Sequence, residues 1–221
     1  MTIITTKKPF EEIVVAIKDI KRITIVSCAS CAAMCQTGGT EGAKEMAEKL
    51  EAEGFEISTV IVPEEVCDNR VMKTDFRKIE EELRHTDAIL TLSCGLGVAS
   101  ITEVLSNKFP LIPVFVGTNT EFMGMTERIG RFYMRCQGCG DCLLNETGGI
   151  CPITTCAKSL MNGPCGGMVD GKCEVGKYEK DCGWVLIYKR LKELGRLDLF
   201  SKLRESVNWS ERGHQREVVW R

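Results

Sequence analysis

Cysteine is the residue type that most constrains this chain, because thirteen of its 221 residues are cysteines. Eight of them lie between Cys136 and Cys182, in a segment that is also rich in glycine. Neither helical nor strand periodicity continues there for more than about one turn. Such a segment buries too little apolar surface to offset the entropy lost when it becomes ordered. The sequence therefore predicts that bound metal stabilises this segment.

The spacing of the first three of these cysteines favours iron–sulfur chemistry. Two residues separate Cys136 from Cys139 and Cys139 from Cys142, as in the ferredoxin-type run Cys-x2-Cys-x2-Cys-x3-Cys-Pro. The Cys-Pro pair comes later here, at Cys151-Pro152, so the motif is ferredoxin-like with an insertion. Two 4Fe–4S clusters need eight thiolates. The eight candidates are Cys136, Cys139, Cys142, Cys151, Cys156, Cys165, Cys173 and Cys182.

Two other interpretations of the same eight cysteines stay open. Two structural zinc sites with four cysteine ligands each would also use eight thiolates, so the same cysteines would be the metal ligands if zinc replaces a cluster. Redox-active free thiols are the third interpretation. Zinc ribbons typically have two separated Cys-x2-Cys pairs, whereas a triple run crowds three ligands around one tetrahedral ion. This favours iron, but spacing alone does not tell which cysteine completes which cluster.

Charge and hydropathy exclude several classes of protein. A formal net charge of −2 argues against general attraction to nucleic acid or anionic membranes. The longest apolar runs are too short to cross a bilayer, and Met1–Lys8 lacks the features of a secretory signal. An odd number of cysteines cannot all be paired, and thiol-rich cytosolic chains more often bind metal than form disulfides. We expect a cytoplasmic protein with no nucleic-acid partner and no membrane insertion.

Residues 10–125 alternate between helical and strand patterns. The predicted strands are Arg22–Ser27, Phe55–Val62, Ala88–Ser93 and Leu111–Val116, and the predicted helices are Phe10–Lys18, Glu41–Glu53, Thr74–Arg84 and Val98–Ser106. Largely apolar strands separated by helices indicate a parallel sheet covered on both faces. The predicted class is α/β: a small parallel flavodoxin-like or Rossmann-like layer domain, then a cysteine-rich irregular iron–sulfur domain and C-terminal helices.

The change of texture along the chain predicts three parts. They are an α/β domain over 1–125, a ferredoxin-like iron–sulfur domain over 126–183, and a helical part with a basic tail over 184–221. In the last part Trp184, Ile187 and Leu191 follow helical spacing. Such a face usually closes a core, although these helices are also candidates for docking a partner. A second helix is predicted over Leu197–Val207.

A second group of cysteines belongs to the α/β domain. Cys28, Cys31 and Cys35 directly follow the first predicted strand, and Cys94 directly follows the third. The carboxyl ends of parallel strands meet at one edge of a sheet, where open α/β folds bind ligands. We therefore expect these four to hold a third cluster or a metal, with Cys67 as an alternative fourth ligand. The ordinary alternative is that Cys67 and Cys94 are small buried apolar residues.

The turn after the third predicted strand contains a further weak motif. Gly95 to Ser100 reads Gly-x-Gly-x-x-Ser, which resembles a dinucleotide fingerprint but has serine at its last position. No acidic residue ends the fourth predicted strand, which argues against a nucleotide. Glycines that let backbone N–H groups approach a cluster are the simpler interpretation.

Several stretches of the chain resemble a known family. The run RCQGCGDCLLNETGGICPITTCAKSLMNGPCGGMVDGKCEVG at Arg135–Gly176, followed by DCGWVLIYKRLKELGRLDLF, is similar to the methylenetetrahydrofolate reductase C-terminal domain family. That family includes MetV-type iron–sulfur subunits. The stretches ITIVSCASCAAMC, EEVC, AILTLSCGLGV and VGTNTEFMG are similar to its N-terminal part, so the resemblance spans nearly the whole chain.

The resemblance implies a heteromeric oxidoreductase that reduces 5,10-methylene-tetrahydrofolate to 5-methyl-tetrahydrofolate in the one-carbon metabolism of anaerobes (the Wood–Ljungdahl pathway). The hydride would come from FMN or FAD on a separate barrel subunit, since an eight-stranded barrel needs about 250 residues. This chain would bind the clusters, dock the flavin-bearing subunit and relay electrons from ferredoxin or a further redox module. No catalytic residue is expected on it. The alternative is a zinc-stabilised scaffold subunit without a redox role.

Overall fold

The computed structural model describes residues 2–206 and 217–219 of the chain. The chain divides into two compact units, Met1–Arg135 and Cys136–Arg221. The predicted first boundary at 125/126 falls inside a strand of the first unit, Thr118–Arg128. The second unit contains both the cysteine-rich segment and the helix that follows it, which the sequence had assigned to separate parts.

The first unit contains all of the strands in the described residues and most of the helices. The strands are β1 (Thr2–Lys7), β2 (Arg22–Ser27), β3 (Glu56–Ile61), β4 (Ala88–Leu92), β5 (Val114–Val116), β6 (Thr118–Arg128) and β7 (Arg131–Met134). Its helices are α1 (Phe10–Ala16), α2 (Cys31–Met34), α3 (Gly39–Ala52), α4 (Asn69–Lys78), α5 (Glu80–Arg84) and α6 (Gly95–Ser106).

A four-stranded parallel sheet in the order β3-β2-β4-β5 forms the centre of this unit. Side chains alternate between its faces: Ile23 and Ile25 of β2 pack in an apolar cluster with residues of α1 and α3. Val26 packs in a second cluster with residues of α4 and α6. The predicted parallel sheet with helices on both faces is therefore confirmed. Counted alone, its strands run in the order 2-1-3-4, which matches four positions of the flavodoxin-like order 2-1-3-4-5.

Helix and strand ends differ from the predictions where capping residues and prolines intervene. The predicted helix Thr74–Arg84 is two helices, and α4 begins early because the Asp68 carboxylate caps it, accepting a hydrogen bond from the backbone N–H of Arg70 at 2.8 Å. The predicted strand Leu111–Val116 shortens to β5, since Pro113 carries no N–H to donate to a ladder.

A three-stranded antiparallel sheet in the order β1-β6-β7 was not predicted from the sequence. Strand β6 is antiparallel to both neighbours, with Thr2 opposite Gly124 in the register of β1. A side chain at Gly124 would collide with that of Ile4, so this glycine allows the two strands to pack closely. The predicted end of the α/β domain at residue 125 lies within β6, and the first unit continues through β7.

The second unit is held by a small core. It contains α7 (Pro152–Thr155), α8 (Gly183–Glu193) and a short 3-10 helix (Leu197–Ser201), and its apolar cluster of buried residues consists of Cys182, Trp184, Ile187 and Leu191. The predicted role of the α8 face in closing a core is thus confirmed. The helix predicted over Leu197–Val207 is only the 3-10 turn, and Val207 and most of the basic tail lie outside the described residues. In the described ranges no helix is long and apolar enough to cross a membrane.

Candidate functional site

Four cysteines line a cavity at the carboxyl edge of the parallel sheet. Cys28 follows β2, Cys67 lies in the loop after β3, Cys94 precedes α6 at the end of β4, and Cys31 begins α2. The cavity has a volume of about 160 Å³. Its lining residues are Ile3, Cys28, Ser30, Cys31, Glu65, Val66, Cys67, Ser93, Cys94, Leu96 and Gly97. The fold thus gathers thiols from three separate strand ends and one helix start.

Backbone hydrogen bonds fix the loops that carry these thiols. The N–H of Cys28 donates to the carbonyl of Leu92 at 3.1 Å, which joins the ends of β2 and β4. The N–H of Ala29 donates to the carbonyl of Pro63 at 2.9 Å, which joins the same loop to the one after β3. The three strand ends are therefore held together by the main chain.

The four thiols differ in their surroundings. Cys28 and Cys94 are buried, with 7% and 8% of their surface exposed, whereas Cys67 reaches solvent. Partial burial raises the pKa of the Cys67 thiol, and the nearby Cys94 and Cys28 thiols add to the increase. Each thiol would have to lose its proton to bind a metal, so binding here would release protons.

Cys35, which the sequence grouped with Cys28, Cys31 and Cys94, does not line this cavity. It ends α2, and its thiol donates to the carbonyl of Ile3 in β1 at 3.8 Å. The structure therefore brings Cys28, Cys31 and Cys94 together with the alternative ligand Cys67, and it places Cys35 against β1.

The two glycines at the start of α6 have structural roles. A Cβ at Gly97 would lie 2.9 Å from Cβ of Ser93 and 3.0 Å from Cγ1 of Val66, so the helix can approach the strand end only with glycine here. The N–H of Gly95 donates to Oγ1 of Thr120 at 2.8 Å. Packing and an internal hydrogen bond thus account for both glycines of the weak dinucleotide motif.

In the second unit, the first three cysteines lie on a loop without helix or strand. Cys136 and Cys142 are exposed, and Cys139 is partly buried. Gly138 and Gly140 have φ angles of 63° and 86°, in the left-handed region that glycine adopts without strain. The N–H of Gly138 donates to Sγ of Cys136 at 3.4 Å. The glycines thus let the chain turn between successive thiols and present N–H groups to sulfur.

The remaining cysteines of this unit lie around its core and its irregular loops. Cys182 is buried and Cys156 packs against the same apolar cluster. Gly183 allows this, because a Cβ there would lie 2.9 Å from the carbonyl carbon of Thr155. Cys151 and Cys173 are partly buried, and Cys165 is exposed. This brings Cys156 and Cys182 to one small core, at the end of α7 and the start of α8.

Cys165 has charged neighbours that cysteine spacing did not reveal. The ammonium group of Lys158 donates to Sγ of Cys165 at 3.7 Å. Lys158 also forms an ion pair with Glu174, which lowers the pKa of the Glu174 carboxyl and raises that of Lys158. The Cys165 thiol also donates to the Glu174 carboxylate at 3.8 Å, so this cysteine lies beside both a cation and an anion.

No disulfide joins any of the thirteen cysteines, all of which lie in the described part of the chain. Within residues 2–206 and 217–219, no three side chains of the cysteine, histidine, aspartate or glutamate type converge closely enough to hold a metal ion. The four thiols at the sheet edge thus surround a space without meeting at one point.

Comparison with known proteins adds one family. Residues 115–210 match the family model described as "Methylene-tetrahydrofolate reductase C terminal". The matched range contains all eight cysteines of 136–182 and the helix α8. No curated protein matches the chain. The chain is therefore similar to this family over less than half of its length.

Two solved structures resemble part of the chain. They are of a LacI family transcriptional regulator from Arthrobacter sp. FB24, one of them in complex with lactose. Each is 22% identical to this chain, covers 47% of it and has a TM-score of 0.35. The chain spans 39% and 38% of their lengths. A likeness at this TM-score carries no argument about fold or function.

Proposed function

We propose that this chain is the iron–sulfur electron-transfer and docking subunit of a heteromeric methylenetetrahydrofolate reductase of the cytoplasm. It relays electrons from an external donor such as ferredoxin to the flavin of a partner subunit, which reduces 5,10-methylene-tetrahydrofolate to 5-methyl-tetrahydrofolate. The observation that carries this proposal is the family match over residues 115–210, because that range contains the eight-cysteine segment.

The cysteines of the second unit suit iron–sulfur clusters in number and surroundings. Cys136, Cys139, Cys142, Cys151, Cys156, Cys165, Cys173 and Cys182 would hold two 4Fe–4S clusters, which supply one-electron transfer when bound. N–H···S hydrogen bonds tune the potential of such clusters, and the Gly138 N–H already donates to the Cys136 sulfur. The Lys158 ammonium also donates to the Cys165 sulfur, next to the Glu174 carboxylate with which Lys158 is paired.

Apolar packing in the same unit supports the relay. Trp184, Ile187 and Leu191 bury Cys182 and keep water from that thiol. Burial of this kind shapes the potential of a cluster and protects its sulfur ligands. The chain's own residues thus bind, orient and insulate, while the hydride transfer belongs to the partner.

The architecture supports the assignment of hydride transfer to a partner. A flavin-binding barrel of this reductase type has eight parallel strands. The described residues form one sheet of four parallel strands and one of three antiparallel strands. We therefore expect no folate reduction by this chain alone and activity when the flavin-bearing subunit is added.

The test is anaerobic purification of the chain, with iron, sulfide and zinc measured together with the visible spectrum, followed by assays of 5,10-methylene-tetrahydrofolate reduction. The relay predicts iron and sulfide in about equal amounts and activity that needs the chain, the flavin subunit and a donor. Zinc without iron would indicate the scaffold instead. Full activity of the flavin subunit without this chain would reject the relay.

A further inference from the structure

The cysteines at the sheet edge of the first unit lie outside the family match, which begins at residue 115. We propose that Cys28, Cys31, Cys67 and Cys94 hold an iron–sulfur cluster in the cavity at this edge, and that Cys35 lies outside its ligand set. The inference rests on the proposed function for the kind of metal group, and it assigns a separate site with its own ligands.

The order of the strands is the first observation that supports this site. In the parallel sheet β2 lies between β3 and β4: the next strand along the chain, β3, lies on one side of β2, and the later strands β4 and β5 lie on the other. Such a reversal of strand order creates a crevice at the carboxyl ends of the two strands, where open α/β folds bind their ligands. Cys28 and Cys94 stand at the carboxyl ends of β2 and β4. Cys67 reaches the crevice from the loop after β3.

The size of the cavity carries the second step. Its volume of about 160 Å³ is on the order of ten times the ~10–15 Å³ that a cavity needs to hold one water molecule. A single tetrahedral ion instead needs its sulfur ligands within about 2.3 Å of one point. Four thiols that line a space of this size have room to ligate a group of several atoms.

The lining of the cavity carries the third step. Ile3, Val66 and Leu96 contribute apolar walls, and Glu65 is its one carboxylate residue. Two buried thiols and apolar walls suit a cluster, whose thiolate ligands are then shielded from water. Four cysteines among eleven lining residues is a high density for a site with no disulfide.

Cys35 and Cys67 distinguish this ligand set from the one that spacing suggests. The motif Cys28-x2-Cys31-x3-Cys35 places Cys35 one helical turn beyond Cys31, near in sequence to the other ligands. Yet its thiol is directed to the carbonyl of Ile3, whereas Cys67 lines the cavity from a loop far along the chain. The two residues therefore provide a matched pair of variants.

The experiment compares the full-length chain with Cys67→Ser and Cys35→Ser after anaerobic reconstitution with ferrous iron and sulfide. Iron and acid-labile sulfide are counted per chain, and electron paramagnetic resonance is recorded on the reduced proteins. We expect Cys67→Ser to lose about four iron atoms relative to the wild type, with one paramagnetic signal, because one 4Fe–4S cluster is lost. Cys35→Ser should match the wild type. Circular dichroism verifies folding, and Cys67→Ala serves as a second variant.

The outcomes separate this site from the proposed function through Cys139→Ser, which removes a ligand of the second unit. Loss of iron in Cys139→Ser with none in either Cys67 variant would overturn the sheet-edge cluster and leave the relay intact. Loss in Cys35→Ser with none in Cys67→Ser would overturn the ligand set. A wild-type chain that takes up zinc and no iron would overturn both the site and the proposed function.

Discussion

At the scale of single residues, close backbone approach decides how the sheet edge is built. Gly97 lies where α6 passes over the end of β4, with Ser93 and Val66 within 3.0 Å of where a Cβ would stand. Both neighbours belong to the cavity lining. The cavity therefore depends on a residue that itself offers no side chain for binding.

We predict that Gly97→Ala destabilises the first unit by about 1–3 kcal/mol, because the added methyl group overpacks a dense contact. The matched control is Gly95→Ala on the same helix, where a Cβ would meet only Oγ1 of Thr120, at 3.7 Å. Urea unfolding of both variants measures the difference. Equal midpoints for the two variants would show that α6 shifts to make room.

Residue spacing alone could not identify all the thiols that share the sheet-edge cavity. The run Cys28 to Cys35 is visible as a local motif, and Cys94 follows an apolar strand. Cys67 reaches the cavity because β3 lies next to β2, and this adjacency depends on the order of the strands in the sheet. The contact between Lys158 and Cys165 could not be predicted either, because an irregular loop has no periodicity from which contacts can be inferred.

At the scale of elements, the parallel strands were predictable and the antiparallel sheet was not. Strands β2 and β4 are short runs of apolar residues between helical patterns, so their class follows from composition. Strand β6 contains Thr, Asn, Glu and Gly and pairs with β1 across more than a hundred residues. Pairing of this range leaves no local pattern, and that explains why the pairing of β1 with β6 was missed.

Helix α8 offers a prediction with two leucines of opposite exposure. Leu191 is 1% exposed and Leu194 is 47% exposed. We expect Leu191→Ala to cost about 2–5 kcal/mol by leaving a cavity in the core of the second unit, whereas Leu194→Ala should change stability by less than about 0.5 kcal/mol. Thermal or urea unfolding of the reconstituted chain measures both.

The same comparison decides where a docking surface can lie on this helix. Because Leu191 is buried, a charged side chain at this position would disrupt the fold of the second unit. A loss of partner binding in such a variant would therefore not show that Leu191 contacts the partner. Leu194 and Tyr188 are the exposed apolar residues of α8 and its end. Equal loss of stability in Leu194→Ala and Leu191→Ala would contradict the expectation that only Leu191 packs in the core of the second unit.

At the scale of the whole molecule, the two units differ in how much apolar core they possess. The first unit has two apolar clusters, one on each face of its parallel sheet. The second has four buried core residues for the segment that carries eight cysteines. With so small a core, this unit would depend on the proposed clusters for most of its folding free energy.

We therefore predict that a chelator that removes the metal unfolds the second unit and leaves the parallel sheet folded. Hydrogen exchange measured by mass spectrometry should show loss of protection in α8, while β2 and β4 stay protected. The untreated chain under the same anaerobic conditions is the control. Joint loss of protection in α8 and β4 would contradict this, as would retention in both.

The strand order of the first unit also bears on biogenesis. Three of the proposed ligands in the second unit, Cys136, Cys139 and Cys142, are close together in the chain. They could therefore bind iron before the rest of their segment has folded. Cys28, Cys67 and Cys94 become neighbours only after β2 has paired with both β3 and β4. Contacts between distant parts of a chain form late in folding. A sheet-edge cluster would thus be inserted only after the first unit has folded correctly. Its presence would show that this folding was complete before the chain assembled with its partner subunit.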